Sequence, residues 1–234
     1  MKNKITFTSG ISYFEQEGRQ NLPEVLNRVK SAFRKREDIR ACKIVIFTAL
    51  GEGPALAYNK LKEYDPKIIA VTFPPGYSVK RTIDEGHVIE TPIRISEKLR
   101  KFFDGVGVTV LSAKLPFDGF DGAESIKQQM KLIKDVLSLF AGGFSLCVQA
   151  VLQACDMGAV NIGEKVVVIT GDCAALVTAS NTTKFLSYDE GLSINEILCK
   201  PRNLSITRKR AKQPIKASGE LFPVEREIKL LPPT

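Results

Sequence analysis

The sequence predicts an α/β fold, a three-layer α/β/α sandwich built on one mostly parallel sheet, and three observations carry that prediction. KIVIFTA at 43–49 and KIIAVTF at 67–73 are continuous apolar runs rich in β-branched residues. Strands buried on both faces read this way. A third such run, KVVVIT at 165–170, lies far downstream. Helix-patterned segments stand between these runs, and an alternation of helix and strand builds parallel sheets covered on both sides.

Taken in order, residues 22–37 place Leu22, Val25, Leu26, Val29 and Phe33 at helical spacing, with charges on the opposite side. Asn21 is a candidate N-cap, with Pro23 and Glu24 in the first turn. After the strand at 43–49, Leu50-Gly51-Glu52-Gly53 forms a turn and Pro54 opens a helix to about Lys62. Residues 74–92 hold Pro74, Pro75, Gly76, Gly86 and Pro92 and read as a loop. Residues 94–104 read as a helix, Val108–Leu111 as a strand, and 117–122 as a second loop. Two helices follow, from about Ala123 to Phe140 and from about Phe144 to Met157, broken by Gly142-Gly143. The second is apolar nearly all round, as a helix in the middle of a domain must be. Ala174–Ala179 reads as another strand, and Ser193–Cys199 as a short helix stopped by Pro201. The domain is expected to span 1–202, with an extended basic tail over 203–234.

Charge is concentrated in that tail. From Lys200 onward nine Lys or Arg face three Asp or Glu, a balance of +6 out of a total of +8. No aromatic residue interleaves the basic positions before Phe222, which argues against nucleic acid stacked on the tail. The apolar Ile228-Lys229-Leu230-Leu231 argues instead for a tail packed on the domain or on a neighbouring subunit, within a homo-oligomer. No apolar run reaches the roughly 18 residues of a membrane span, and the N-terminus lacks a secretory pattern, so no membrane partner and a cytoplasmic location are expected. The five cysteines form no CxxC and the one histidine, His87, sits in the 74–92 loop. That inventory predicts reduced structural thiols and no metal site.

Two glycine-rich strand ends are candidate binding elements, because ligands of doubly wound sheets lie beyond the carboxyl ends of the strands. The first is Thr48-Ala49-Leu50-Gly51-Glu52-Gly53-Pro54, where glycines allow close backbone approach and a helix start favours an anion. A tight strand-to-helix turn without a ligand is the competing reading. The second is Thr170-Gly171-Asp172, for which a simple hairpin turn competes. Asp118 and Asp121 flank a turn and form no hydrolytic pair. No nucleophile or acid–base set stands out.

The segments KIVIFTALGEGPA at 43–55, PKIIAVT at 66–72 and GEKVVVITG at 163–171 resemble the C-terminal domain of pyruvate kinases. The opening YFEQEGRQN at 13–21 and the ending INEILCKPR at 194–202 resemble free-standing archaeal proteins of that kind. The resemblance covers about residues 12–202. It implies a domain without the pyruvate kinase catalytic apparatus. In many pyruvate kinases this domain takes a sugar bisphosphate at the turn that corresponds to Thr48–Gly53. The free-standing relatives look like binders of flavin mononucleotide, FMN, with its phosphate near the same turn.

The expectation is therefore a binding protein for a phosphorylated small molecule or nucleotide, FMN first among them. Thr48, Ala49, Leu50, Gly51 and Gly53 would form the phosphate side, and Thr170, Gly171 and Asp172 the opposite wall. A flavin-dependent oxidoreductase using the same pocket and a structural or oligomerisation module without ligand remain as alternatives.

Overall fold

The computed structural model describes residues 10–82, 88–118, 124–204 and 206–207. Its centre is a seven-stranded sheet. The strands are β1 (Ser12–Gln16), β2 (Lys43–Phe47), β3 (Ile68–Thr72), β6 (Thr109–Ser112), β7 (Lys165–Ile169), β8 (Ala174–Thr178) and β9 (Ser193–Asn203). Their order is β1-β9-β8-β7-β2-β3-β6. Only β8 runs antiparallel to its neighbours, so six strands end on one edge.

The apolar runs form strands because both of their faces are buried. In β2, Ile44 and Ile46 join one core while Val45 joins the other; in β7, Val167 and Ile169 divide from Val166 and Val168 in the same way. One core lies under α1 (Leu22–Lys35), α3 (Glu52–Leu61) and α4 (Glu97–Gly105). The other lies under α6 (Gly142–Asp156), with α5 (Glu124–Ser138) packed on its outer side through Met130, Ile133 and Leu137. The three-layer, mostly parallel architecture predicted from the sequence is present. α6 is buried from Phe144 to Ala154 apart from Leu146.

Four expectations need correction. Ser193–Cys199 is not a helix but the start of β9, the longest strand. Ile194, Ile197 and Leu198 mimic helical spacing because register shifts against β8, between Ala174 and Ala175 and between Leu176 and Val177, break the two-residue period. The 74–92 segment is not all loop: β4 (Ser78–Thr82) and β5 (Val88–Pro92) pair as an antiparallel ribbon, short strands hidden among prolines and glycines. Gly142-Gly143 does not separate α5 from α6 but forms the first turn of α6. Asn21 makes no side-chain cap; its Nδ2 donates to the Gln16 carbonyl at 2.8 Å and ties down the turn after β1 instead. The remaining helix, α2 (Glu37–Arg40), is one turn.

β9 runs through Asn203, one residue past the expected domain boundary. His87, Asp121 and the tail beyond Thr207 lie outside the described residues. All five cysteines are free thiols, four of them buried. Among the described residues no helix is long and apolar enough to cross a membrane.

Candidate functional site

The carboxyl ends of β2 and β7 lie side by side, since Ile46 pairs with Ile169. The two glycine-rich turns that continue these strands are therefore neighbours. The first is built by its own side chains. Thr48 is buried, and its Oγ1 accepts the Gly51 N–H at 2.9 Å. Gly51 adopts φ +98°, the left-handed region that glycine enters without strain. A side chain there would also press on Leu99 and Ile95 at 3.1 and 3.2 Å, so the turn is roofed by the α4 segment. The Ala49 carbonyl accepts from Thr72 Oγ1 at the end of β3. Leu50 and Ala49 are half-buried, and Gly53 packs against Ile46.

The second turn is a hairpin between β7 and β8, closed by Thr170 N–H donating to the Cys173 carbonyl at 2.9 Å. Thr170 is buried. Asp172 is also buried, 7 % exposed, and its Oδ2 accepts the Gly18 N–H at 2.9 Å. Burial pushes the Asp172 carboxyl above its ordinary range, and the Gly18 bond only partly offsets that. Asp172 thus clamps the loop after β1 onto the hairpin.

Residues that the sequence did not single out complete this edge. The Arg19 backbone lies on Gly171, so close that a side chain at 171 would come within 3.0 Å of its Cα. The Arg19 guanidinium reaches Glu52 at the start of α3, with Nη1 to Oε1 at 3.2 Å. Arg19 therefore spans the two turns and brings a cation to them. Glu17, two residues before it, is 4 % exposed. It accepts from the N–H groups of Gly142, Ile206 and Thr207 at 3.1, 2.7 and 2.8 Å, and from Thr207 Oγ1 at 2.5 Å. These bonds outweigh the opposing effect of burial and hold the Glu17 carboxyl below its ordinary range. Beside the first turn, Phe47 meets Phe73 edge-on at 5.2 Å, and Phe73 stacks on Tyr77 at 4.2 Å with rings 3° from parallel. The sequence signal for this aromatic row is the Phe-Pro-Pro-Gly-Tyr that follows β3.

Nucleophilic chemistry has little support at this edge. Cys147 and Cys173 lie near Thr170 and Asp172, but burial raises both thiols and keeps them protonated. Asp118 is engaged by Lys134. Among the described residues no cluster of three His, Cys, Asp or Glu side chains could hold a metal. What the edge holds is the Arg19–Glu52 ion pair, the start of α3 and a row of aromatic rings. Compared against models of known protein families, the chain matches none.

Proposed function

We propose that this chain is a free-standing cytoplasmic relative of the pyruvate kinase C-terminal domain, and that it binds a phosphorylated small molecule or nucleotide, FMN foremost, at the carboxyl edge. The observation that carries this reading is the adjacency of the Thr48–Gly53 and Thr170–Asp172 turns with Arg19 laid across both. The phosphate would lie at the start of α3, where the helix dipole favours an anion, and would compete with Glu52 for the Arg19 guanidinium. The ring system would stack beside Phe73 and Tyr77, whose parallel faces form a ready apolar platform. The Thr170–Asp172 hairpin would act through Arg19, whose backbone lies on Gly171 and whose loop Asp172 fixes.

Purified full-length protein should show the yellow absorbance of flavin, or gain thermal stability when FMN is added. A free ligand at a hundred times its Kd adds about 2.7 kcal/mol. Arg19→Glu should abolish that gain, because it reverses the charge facing the phosphate. Colourless protein whose melting temperature ignores millimolar FMN would overturn the flavin assignment, and indifference to simple sugar phosphates and other nucleotides as well would overturn the site.

A further inference from the structure

Among the described residues, one face of the sheet is only partly covered. α6 lies over β2, β3, β7 and β8, whereas β9 is backed by α1 on the opposite face. Residues directly opposed in a ladder share a face. Ile194 pairs with Val177 and Ile197 with Ala175, and both partners belong to the core under α6. Ile194 and Ile197 therefore point to the α6 side, beyond the edge of that helix. Together with Ile11, Phe140 and Phe144, and with Asn195 and Glu196 as its polar part, they line an open groove of about 560 Å³. Phe140 stacks on Phe144 at 5.5 Å and is itself 45 % exposed; Ile194 is 39 % exposed. Its exposed Phe140 and Ile194 side chains leave apolar surface for a small apolar segment to cover.

The path of the chain says what covers it. Ile206 and Thr207 are fastened to Glu17 and lie against Gly142, two residues past Phe140. The tail therefore leaves the domain beside the rim of the groove. Twenty residues separate Thr207 from Ile228, enough to reach about 66 Å when extended, against about 22 Å for the whole of α6. The tail carries its apolar cluster, Ile228-Lys229-Leu230-Leu231, well within that reach, and tethering holds it near the groove at millimolar effective concentration.

We infer that Ile228–Leu231 of the same chain docks in the groove formed by Phe140, Phe144, Ile194 and Ile197. Ile228 and Leu230 enter the groove, and the basic run Arg208–Lys212 spans the exposed path between the Glu17 clamp and the docking point. The docked tail touches none of the carboxyl-edge ligand chemistry.

Trypsin reads this directly in the full-length protein, because Arg226 and Lys229 lie at the docked segment and Arg208, Arg210 and Lys212 on the path to it. Relative to the same sites in the urea-unfolded chain, a reference that removes the intrinsic slowing of Arg226 by Glu225 and Glu227, cleavage at Arg226 and Lys229 should be at least about tenfold slower, and cleavage at Lys212 should not be. Phe140→Asp, the milder Ile194→Asp at a more peripheral position, and Leu230→Ser in the tail should each remove the protection of the two slow sites relative to the unfolded chain. Equal slowing at Lys229 and Lys212 in the unmodified chain, each against the unfolded reference, would overturn the proposal. So would protection that survives both groove variants. Protection that fades on dilution together with a doubled mass in light scattering would show the tail of a second copy in the groove, and the intramolecular assignment would fall.

Discussion

Glu17 and Asp172 stand on the same edge of the sheet, both nearly out of solvent, and the fold moves their proton affinities in opposite directions. Burial alone raises both. Glu17 receives three backbone N–H bonds and a hydroxyl, and these overcome the cost of burial. Asp172 receives one backbone N–H and a weak thiol contact at 3.4 Å, and these do not. The difference teaches that donors must outweigh desolvation before a buried carboxylate stabilises this fold, and only Glu17 has enough of them. It also separates two roles. Glu17 gathers the start of α6 and the end of β9's continuation around a charge, whereas Asp172 positions the loop that bears Arg19 and carries its charge at a cost.

The sharpest way to break this comparison is to delete the Glu17 carboxylate. Glu17→Ala strands four donors and removes a negative charge from the N-terminus of α6. The expected loss is about 3 kcal/mol. For a chain of this size that lowers the melting temperature by about 6–12 °C. Glu17→Gln should recover part of it, since one oxygen still accepts. The native contribution is present above the unfolded value of about 4.5 and disappears as pH falls through the lowered native value. Acid denaturation of the variant should accordingly be shallower. A loss below about 0.5 kcal/mol would place Glu17 among ordinary surface residues.

A second variant tests how tightly α6 closes on the hairpin. A Cβ at Gly143 would overlap Asp172 Oδ1, and would stand 2.7 Å from Thr170 Oγ1 and 3.2 Å from Cys173 Sγ. Gly143→Ala should cost about 2 kcal/mol by overpacking. Combining it with Asp172→Ala removes the worst of these clashes and leaves the one with Thr170, so the two effects should fail to add by more than about 0.5 kcal/mol. Strict additivity in denaturant titrations would mean that the helix start shifts away freely and that Asp172 does not set its position.

The sequence makes some of this legible and hides the rest for identifiable reasons. β2, β3 and β7 announce themselves because burial on both faces demands unbroken apolar runs. Thr48–Gly53 is readable because a left-handed turn selects glycine. β1 is obscured because, as an edge strand, it turns only Phe14 toward the core while Tyr13 and Glu15 stay exposed. β9 is misread because its bulges convert a strand period into a helical one. Glu17 carries no local signal, since its partners lie 125 to 190 residues away. Arg19 is hidden likewise: its place across the two turns exists only once β1 has joined the sheet beyond β9.

The smallest expected effect is also the most discriminating. Asp172→Asn keeps an oxygen where Gly18 N–H donates and removes only the charge. The amide nitrogen can turn toward Cys173, whose sulfur accepts in place of donating. At neutral pH the variant should match the native protein or exceed it by less than about 4 °C in melting temperature, a gain within about 1 kcal/mol. The sign follows from the raised native pKa. Between the unfolded value of 3.8 and the higher native value, the native state binds more protons than the unfolded chain, so stability falls as pH rises through that window. The asparagine variant lacks this fall. Its advantage over the native protein should be absent below the window, grow through it, and stay constant above. Melting temperatures of the pair from about pH 3 to about pH 7 measure that curve. A variant that loses more than about 1 kcal/mol at neutral pH would show that the Asp172 charge is itself a stabilising partner, and Glu17 and Asp172 would then be two anchors of one kind.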